Sequence, residues 1–176
     1  MAKGDTVVLL EDECHLHWRD VQGYVWGRSN ERVDIKIKNE SQRQTYYGAL
    51  DVMQGNVVLK KFKMGETAST ISFIKHLMKV YEGKKIKLIW DGATYHRSEE
   101  FIAFLKELNA GLENKDWLVE CVRLAPYAPE ENPIEYVWLA AKNLLRECWH
   151  MCKSFKAAKL IFEIGTTLGK FSFPKL

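Results

Sequence analysis

Three acidic residues have the type and placement that chemistry at a sheet edge requires. Asp12 and Asp91 each end a short apolar run, and Glu135 lies just inside a predicted helix that opens at Asn132. Functional groups of open α/β sheets gather at the carboxyl ends of strands. An aspartate beside apolar residues is costly to bury unless it is paired, hydrogen-bonded or bound to a metal. These acids are therefore the first candidates for a functional site.

If the three carboxylates converge, their like charges repel one another and require a cation. Hard oxygen ligands of this kind suit Mg²⁺ or Mn²⁺. Two such ions about 4 Å apart are the usual device for in-line attack on a phosphodiester, because one activates the nucleophile and the other stabilises the leaving oxygen. The acids thus predict metal-dependent phosphodiester chemistry, provided that the fold brings them together.

Each acid also has a purely structural interpretation. Asp12 or Asp91 can end a strand and cap the turn after it. At the predicted helix start, Asn132 can act as the cap, Pro133 suits the first helical position, and Glu135 can close a capping box. The residues alone leave both interpretations open.

The elements that must position these acids change in character along the chain. Apolar and β-branched runs predict strands over residues 6–12, 23–27, 43–51, 55–62, 85–91 and 117–125, and helical spacing predicts helices over residues 66–83, 98–109, from 132 onward, and 155–170. Leading strands favour an antiparallel meander, and strands that alternate with helices favour parallel pairing. The predicted fold class is α/β, with a mixed sheet and helices on both faces.

Length and composition limit the protein classes that need consideration. The 176 residues, 47% hydrophobic and 28% charged, indicate a single domain over residues 1–176 and exclude disordered and fibrous classes. No apolar run reaches the ~18 residues of a membrane span, and the first residues do not resemble a signal peptide. We therefore expect a cytoplasmic protein. Its net charge of +3 is compatible with nucleic-acid binding but does not establish it.

The four cysteines, at positions 14, 121, 148 and 152, show no CxxC spacing. Zinc sites usually bring two ligands on a tight turn, and no such pair is visible. Free thiols in a reducing compartment are the preferred interpretation. A zinc site that adds His15, His17 or His150 to these cysteines is the alternative.

Three motifs resemble those of one known family. "LLEDECHLHW", "LIWDGATYHRS" and "LAPYAPEENPIEYVW" occur in this order, and they are similar to the motifs of DDE transposases of bacterial insertion sequences in the mariner superfamily. That family has an Asp-Glu pair after its first strand, an Asp with a trailing His after its fourth, and an Asn-Pro-Ile-Glu helix start followed by a Trp. The resemblance covers roughly residues 6 to 150.

The resemblance implies a ribonuclease H-like fold in which Asp12, Asp91 and Glu135 are the catalytic and metal-binding triad. It also implies DNA cleavage at transposon ends, which leaves a 3′-hydroxyl that attacks target DNA, with two Mg²⁺ ions that Mn²⁺ can replace. Asp12 is assigned as the first acid because the family's pair places Asp first. Side-chain alternation along the strand puts Glu11 and Glu13 on the face opposite Asp12.

Supporting roles fall to Glu13, His96, Asn132 and Pro133. Asn132 and Pro133 fix where the helix begins and therefore where Glu135 points. His96 matches the trailing His of the family motif, where it could contact the scissile phosphate, orient a carboxylate or simply tie the loop together. Trp138 is expected to pack its helix against the sheet rather than to contact DNA.

Basic residues between the motifs are candidates for phosphate contact. Residues 60 to 87 contain eight lysines against two acids, and such patches can neutralise phosphates without reading sequence. The alternative is a solvated helix face with strand-edge lysines that discourage aggregation. The DNA-binding candidates are Lys60, Lys61, Lys63, Lys84, Lys85 and Arg97.

The family's members usually recognise transposon ends through helix-turn-helix modules ahead of the catalytic domain. Here the first predicted strand begins about six residues after Met1, so we expect that region to be absent from this chain. The expected partners are transposon-end and target DNA, a second copy in the active dimer, and a separate DNA-binding region or subunit. The expected location is the bacterial cytoplasm, in association with the nucleoid, and we expect the isolated chain to have little sequence-specific DNA affinity.

Two other functions remain open from the sequence. One is a ribonuclease H-like nuclease that acts on hybrids or junctions, and the other is an inactive fragment that binds nucleic acid without cutting it. The third motif argues against the first alternative, and the presence of all three acids argues against the second.

Overall fold

A computed structural model describes residues 5–22, 27–31, 33, 41–91, 97–125, 132–169 and 171. The strands are β1 (Thr6–His17), β2 (Arg43–Asp51), β3 (Val57–Phe62), β4 (Lys85–Trp90) and β5 (Val119–Arg123). The helices are α1 (Thr67–Val80), α2 (Glu99–Leu108), α3 (Ile134–Glu147) and α4 (Phe155–Thr167). Most of the strand predicted over residues 23–27 lies outside the described residues, as does His96.

The five strands form one mixed sheet in the order β3-β2-β1-β4-β5. β1 pairs with β2 in antiparallel fashion, and β2 pairs likewise with β3. On the other side, β1 pairs with β4 in parallel fashion, and β4 pairs likewise with β5. The predicted meander followed by parallel strands is therefore confirmed.

The central strand β1 is five residues longer than the run that predicted it. Its pairing with β4 ends at Leu10 and Ile89, whereas its pairing with β2 continues to His17 and Arg43. Among the described residues, the second half of β1 consequently has a strand on only one side. Asp12 lies at the start of this half, beside the carboxyl end of β4.

Apolar side chains alternate across β1, and each face of the sheet carries a pair of helices. Leu10 and Leu16 face α3 and α4 in a cluster that contains Tyr46, Val137 and Phe162. Leu9 faces the opposite side, where a second cluster contains residues of α1 and α2 such as Phe73 and Phe101. The prediction of helices on both faces is confirmed.

Helix α4 packs closely on α3 because Gly165 stands at their contact. A Cβ added at Gly165 would lie 2.8 Å from Cδ2 of Leu144 and 3.6 Å from Cα of Ala141. The sequence suggests that Gly165 weakens the helix, but the structure shows that the missing side chain is what lets the two helices approach. Among the helices of the described ranges, none combines the length and apolarity that crossing a membrane requires.

Asn109, the C-cap of α2, ties that helix to β5. It is buried, and its side chain donates to the carbonyl of Val119 at 2.9 Å and accepts from the backbone N–H of Leu118 at 2.8 Å. These bonds satisfy backbone groups at the start of β5.

We expect Asn109→Ala to lower the free energy of unfolding by about 2–3 kcal/mol, because it leaves buried backbone groups without partners. Urea denaturation measures the loss. Asn143→Ala, on the exposed face of α3, is the matched control and should change the stability by less than about 0.5 kcal/mol. Equal effects of the two substitutions would contradict the role assigned to Asn109.

Candidate active site

Asp12 lies on the face of β1 that α3 covers. The indole Nε1 of Trp138 donates to its Oδ2 at 2.9 Å, and the backbone N–H of Glu13 also donates to the carboxylate. Burial and, second to it, the negative charge of Glu135 raise the pKa of Asp12 to about 7, while the bond from Trp138 acts in the opposite direction. The carboxylate is thus held in place in surroundings that disfavour its charge.

Glu135 approaches Asp12 from the first turn of α3. Its side chain is exposed to solvent. Its negative charge is the second largest cause, after burial, of the raised pKa of Asp12. Two of the three predicted acids are therefore brought together by the packing of α3 on β1.

The start of α3 differs from the predicted capping box. The helix begins at Ile134, Pro133 occupies the N-cap position without a side-chain cap, and the Oδ1 of Asn132 accepts no hydrogen bond from the described residues. The buried Nδ2 of Asn132 instead donates to the backbone carbonyl of Glu11 at 3.2 Å. The prediction of a capping box with Glu135 was wrong, because the amide of Asn132 is used to fasten the helix start to β1.

Trp138 contributes more to the site than the packing predicted for it. Its ring stacks on Phe162 with centroids 6.1 Å apart and an interplanar angle of 16°. It also passes directly over Gly48, the β2 residue that pairs with Asp12, where an added Cβ would lie 2.3 Å from Cη2 of the indole. Two features of the sequence could have indicated this role of Trp138. One is the glycine in the middle of β2, and the other is the spacing of three residues between Glu135 and Trp138, which puts both side chains on one helix face.

Asp91 follows the last residue of β4 and is exposed. Continuing the parallel register two residues beyond Leu10 and Ile89 places it alongside Asp12. Its charge contributes to the raised pKa of Glu11, which lies on the opposite face of β1 from Asp12. Within the described ranges, no three His, Cys, Asp or Glu side chains form a ready metal-binding group.

The flanking acids of β1 occupy the other face of the sheet, as alternation predicted. Glu11 is 1% exposed and its carboxyl oxygens have no hydrogen-bond partner among the described residues. Its pKa is raised well above the usual range by burial and by the charges of Glu13, Asp12 and Asp91. Glu13 pairs with Tyr47, whose side chain belongs to the α1 and α2 cluster. The geometry therefore favours Asp12, rather than its neighbours, as the acid that faces Glu135.

The cysteines show no sign of the alternative zinc site. All four are free, and Cys14 and Cys152 are buried. Burial raises the pKa of the Cys14 thiol to about 12, so it is held in its neutral form. Within the described ranges, the cysteines belong to no cluster of His, Cys and acidic side chains that could hold a metal ion.

The predicted DNA-binding residues lie in two separate places. Lys60 donates to the carbonyl and hydroxyl of Ser72 at 3.2 and 3.0 Å, whereas Lys61 points to the other face and pairs with Glu163 of α4 at 3.1 Å. Lys63 is exposed just after β3. All three lie towards the end of the sheet at which Asp12 is found.

The remaining candidates are not brought together. Lys84 and Lys85 stand at the start of β4, about 20 Å from its carboxyl end by strand geometry, and Lys85 pairs with Asp116 at 2.8 Å. Arg97 is exposed just before α2. The structure therefore separates the lysines of β3 from those that precede β4.

Comparisons with known proteins agree with this architecture. A family model described as DDE superfamily endonuclease matches residues 7–157. No curated protein sequence matches the chain. Among solved structures, the Mos1 strand transfer complex is similar with a TM-score of 0.60 at 14% identity, covering 90% of this chain and 46% of that one.

Two viral structures show the same likeness. The simian T-cell lymphotropic virus intasome, in complex with the PP2A regulatory subunit B56 gamma, has a TM-score of 0.59 at 14% identity and covers 89% of this chain and 47% of that one. The HTLV-2 integrase catalytic core domain in complex with magnesium has a TM-score of 0.55 at 14% identity, with coverage of 89% and 82%. The chain thus spans about half the length of the larger proteins and most of an isolated catalytic core. At these identities the likeness concerns the fold, and the predicted ribonuclease H-like fold is confirmed.

We expect the protein to lose stability as the pH rises from about 4 to about 7. The folded-state pKa of Asp12, about 7, lies above its ordinary value of 3.8, so the folded state binds this proton more tightly than the unfolded state and its advantage disappears as the proton is released. The contribution of Asp12 is about 4 kcal/mol. Urea denaturation across this pH range measures it.

Asp12→Asn should remove this part of the pH dependence and leave the part that Glu11 contributes. Glu107→Gln, on the exposed side of α2, is the matched control and should retain the wild-type profile. A profile that is the same for all three proteins would contradict the burial assigned to Asp12.

We expect Trp138→Phe to raise the pKa of Asp12 further, because it removes an N–H that stabilises the carboxylate while it keeps a ring against Phe162. The lost bond should also cost about 2 kcal/mol of unfolding free energy. Carbon-13 NMR titration of the Asp12 carboxyl measures the shift. Trp149→Phe changes an indole that is 55% exposed and should leave Asp12 unchanged, whereas an unchanged Asp12 in Trp138→Phe would show that the bond has no effect.

Proposed function

Because the chain belongs to the DDE superfamily endonucleases, we propose that it is a transposase catalytic domain that cuts DNA at transposon ends and joins the resulting 3′-hydroxyl to target DNA. One observation carries this proposal to the residues of this chain. Asp12 and Glu135 come together just beyond the point where the pairing of β1 with β4 ends. Asp91 ends that same neighbouring strand.

The donor set fits a divalent cation of the Mg²⁺ type. Asp12 and Glu135 repel each other, and burial already disfavours the charge of Asp12, so a cation between the carboxylates would stabilise the charged form of both. Carboxylate oxygens are the ligands that Mg²⁺ and Mn²⁺ prefer. We assign Asp12, Asp91 and Glu135 as the ligands of two ions. When bound, such ions activate the attacking oxygen and stabilise the leaving one.

The chain's own residues set the geometry of this site. Trp138 holds one oxygen of Asp12, so the carboxylate keeps a single orientation. Asn132 fastens the start of α3 to the strand that carries Asp12, and this fixes where Glu135 projects. Asp91 is exposed, which suits a ligand that must meet an incoming phosphodiester. His96, which lies outside the described residues, remains our candidate for contact with that phosphate.

The wider assignment follows the three sequence motifs. We propose an origin in a bacterial insertion sequence of the mariner type, a homodimeric active form in the bacterial cytoplasm, and a separate region or subunit that reads the transposon end. The support is the coverage of the comparisons, since the chain matches 82% of an integrase catalytic core and about half of a complete Mos1 chain.

We expect Asp91→Ala to abolish Mn²⁺-dependent nicking of supercoiled plasmid DNA, because one carboxylate ligand is lost. The same substitution should remove the rise in melting temperature that Mn²⁺ gives the wild type, since a ligand that binds only the folded state stabilises it. Gel electrophoresis and thermal unfolding measure the two effects.

Asp116→Ala is the matched control, because this acid lies at the opposite end of β4 and is paired with Lys85. It should nick DNA and respond to Mn²⁺ as the wild type does. Nicking that persists in Asp91→Ala would refute the assignment of this ligand. Faster cleavage of RNA–DNA hybrids than of duplex DNA by the wild type would favour a hybrid nuclease instead.

A further inference from the structure

A basic surface extends from the edge strand β3 to the first half of α4. Two adjoining depressions share Lys61, and their lining includes Arg43, Lys61, Lys63, Lys156 and Lys159. We propose that this β3–α4 basic surface binds the sugar-phosphate backbone of duplex DNA next to the phosphodiester that is cut. This inference rests on the proposed function and adds to it the path that the substrate takes across the protein.

The surface has a net positive charge because its lining contains five basic side chains and one acidic side chain. Glu163 lines the depression on α4, but its carboxylate accepts from the hydroxyl of Tyr46 at 2.8 Å and pairs with Lys61 at 3.1 Å. Among the described residues, no acidic side chain forms an ion pair with Lys63, Lys156 or Lys159.

The lysines at the opposite end of the sheet are arranged differently. Lys85 pairs with Asp116, Lys87 with Glu120, and Lys115 with Glu113, at 2.7–2.9 Å. Each of these cations has an acidic partner nearby. This end of the sheet therefore offers little net positive charge to a polyanion. The contrast identifies the β3–α4 basic surface, rather than the start of β4, as the place that attracts phosphates.

The start of α4 adds to the positive potential. Ser154 caps the helix by accepting from the N–H of Ala157 at 3.2 Å, and the first turn contains Lys156 and no acid. Helix N-termini carry partial positive charge and favour anions, so a lysine in this position opposes the dipole of its own helix. A bound phosphate would turn this unfavourable placement into a favourable one.

The surface lies within reach of the candidate active site. Lys61 pairs with Tyr46 of β2, which pairs with Cys14 of β1, two residues beyond Asp12. Two strand spacings separate β3 from β1, on the order of 10 Å, which corresponds to about three base pairs along a duplex. Lys61 and Asp12 also point to the same face, towards α4 and α3. One duplex can therefore lie on the lysines while a phosphodiester a few base pairs away meets Asp12.

The test is the salt dependence of binding to a 30-base-pair duplex of arbitrary sequence, measured by fluorescence anisotropy in EDTA so that no cleavage occurs. The double substitution Lys156→Gln with Lys159→Gln should weaken binding and reduce the magnitude of the slope of log K against log salt by about 2. The control pair, Lys79→Gln with Lys106→Gln, removes the same charge from exposed positions of α1 and α2 and should keep the wild-type slope.

Each outcome decides the question. A smaller slope of log K against log salt in the variant Lys156→Gln with Lys159→Gln (the α4 pair), without a change in the control pair, supports the β3–α4 basic surface. An equal loss in both pairs shows that only net charge matters, and an unchanged slope in both shows that the lysines make no contact; either overturns the inference. So does a result in which the α4 pair loses binding to phosphatidylserine vesicles but not to DNA. A wild type that binds DNA through these lysines yet fails to nick it with Mn²⁺ would refute the proposed function and leave the surface standing.

Discussion

The hydrogen bond from Trp138 to Asp12 is the contact on which the site depends, because it joins the central strand to the helix that carries the third acid. It requires that the indole lie flat over β2, and only a glycine at position 48 leaves the space. The stack on Phe162 then fixes the far side of the ring. A carboxylate whose burial disfavours its charge is thereby given a side-chain donor and a fixed direction, which is the form of preorganisation that a ligand for a cation needs.

The three consecutive acids of β1 show how one strand can separate charge by alternation alone. Asp12 faces Glu135 across the α3 side, while Glu11 is enclosed on the other side with the pKa of its carboxyl raised. A run of acids on a single face would be hard to fold without metal ions. Alternation instead leaves one acid for the site and buries another, Glu11, where burial raises its pKa and disfavours its charged form.

Much of the fold follows from local sequence signals. The bounds of β2 and the Ser98 cap of α2 agree with the sequence, because β-branched and aromatic runs and short polar caps act through nearby backbone. The longer β1 could not be predicted, since its second half is held by pairing with β2 and not by an apolar pattern of its own. The positioning role of Asn132 and the packing of Trp138 were predicted, but the hydrogen bonds that they make were missed for the same reason: each depends on a partner more than a hundred residues away. The separation of the lysines into those with and those without acidic partners could not be predicted from the sequence, because it depends on which side chains the fold brings together.

The bond between Asn132 and the backbone of Glu11 has a consequence for the order in which the protein acquires its function. It joins positions 121 residues apart in the chain, so it cannot form before the start of α3 has been synthesised. During synthesis the strands around β1 emerge long before α3 does, so they must wait for the helix that completes the site. A chain whose synthesis stops before α3 would carry Asp12 and Asp91 without Glu135. The candidate site thus gains its third acid only after the chain has been synthesised through the start of α3.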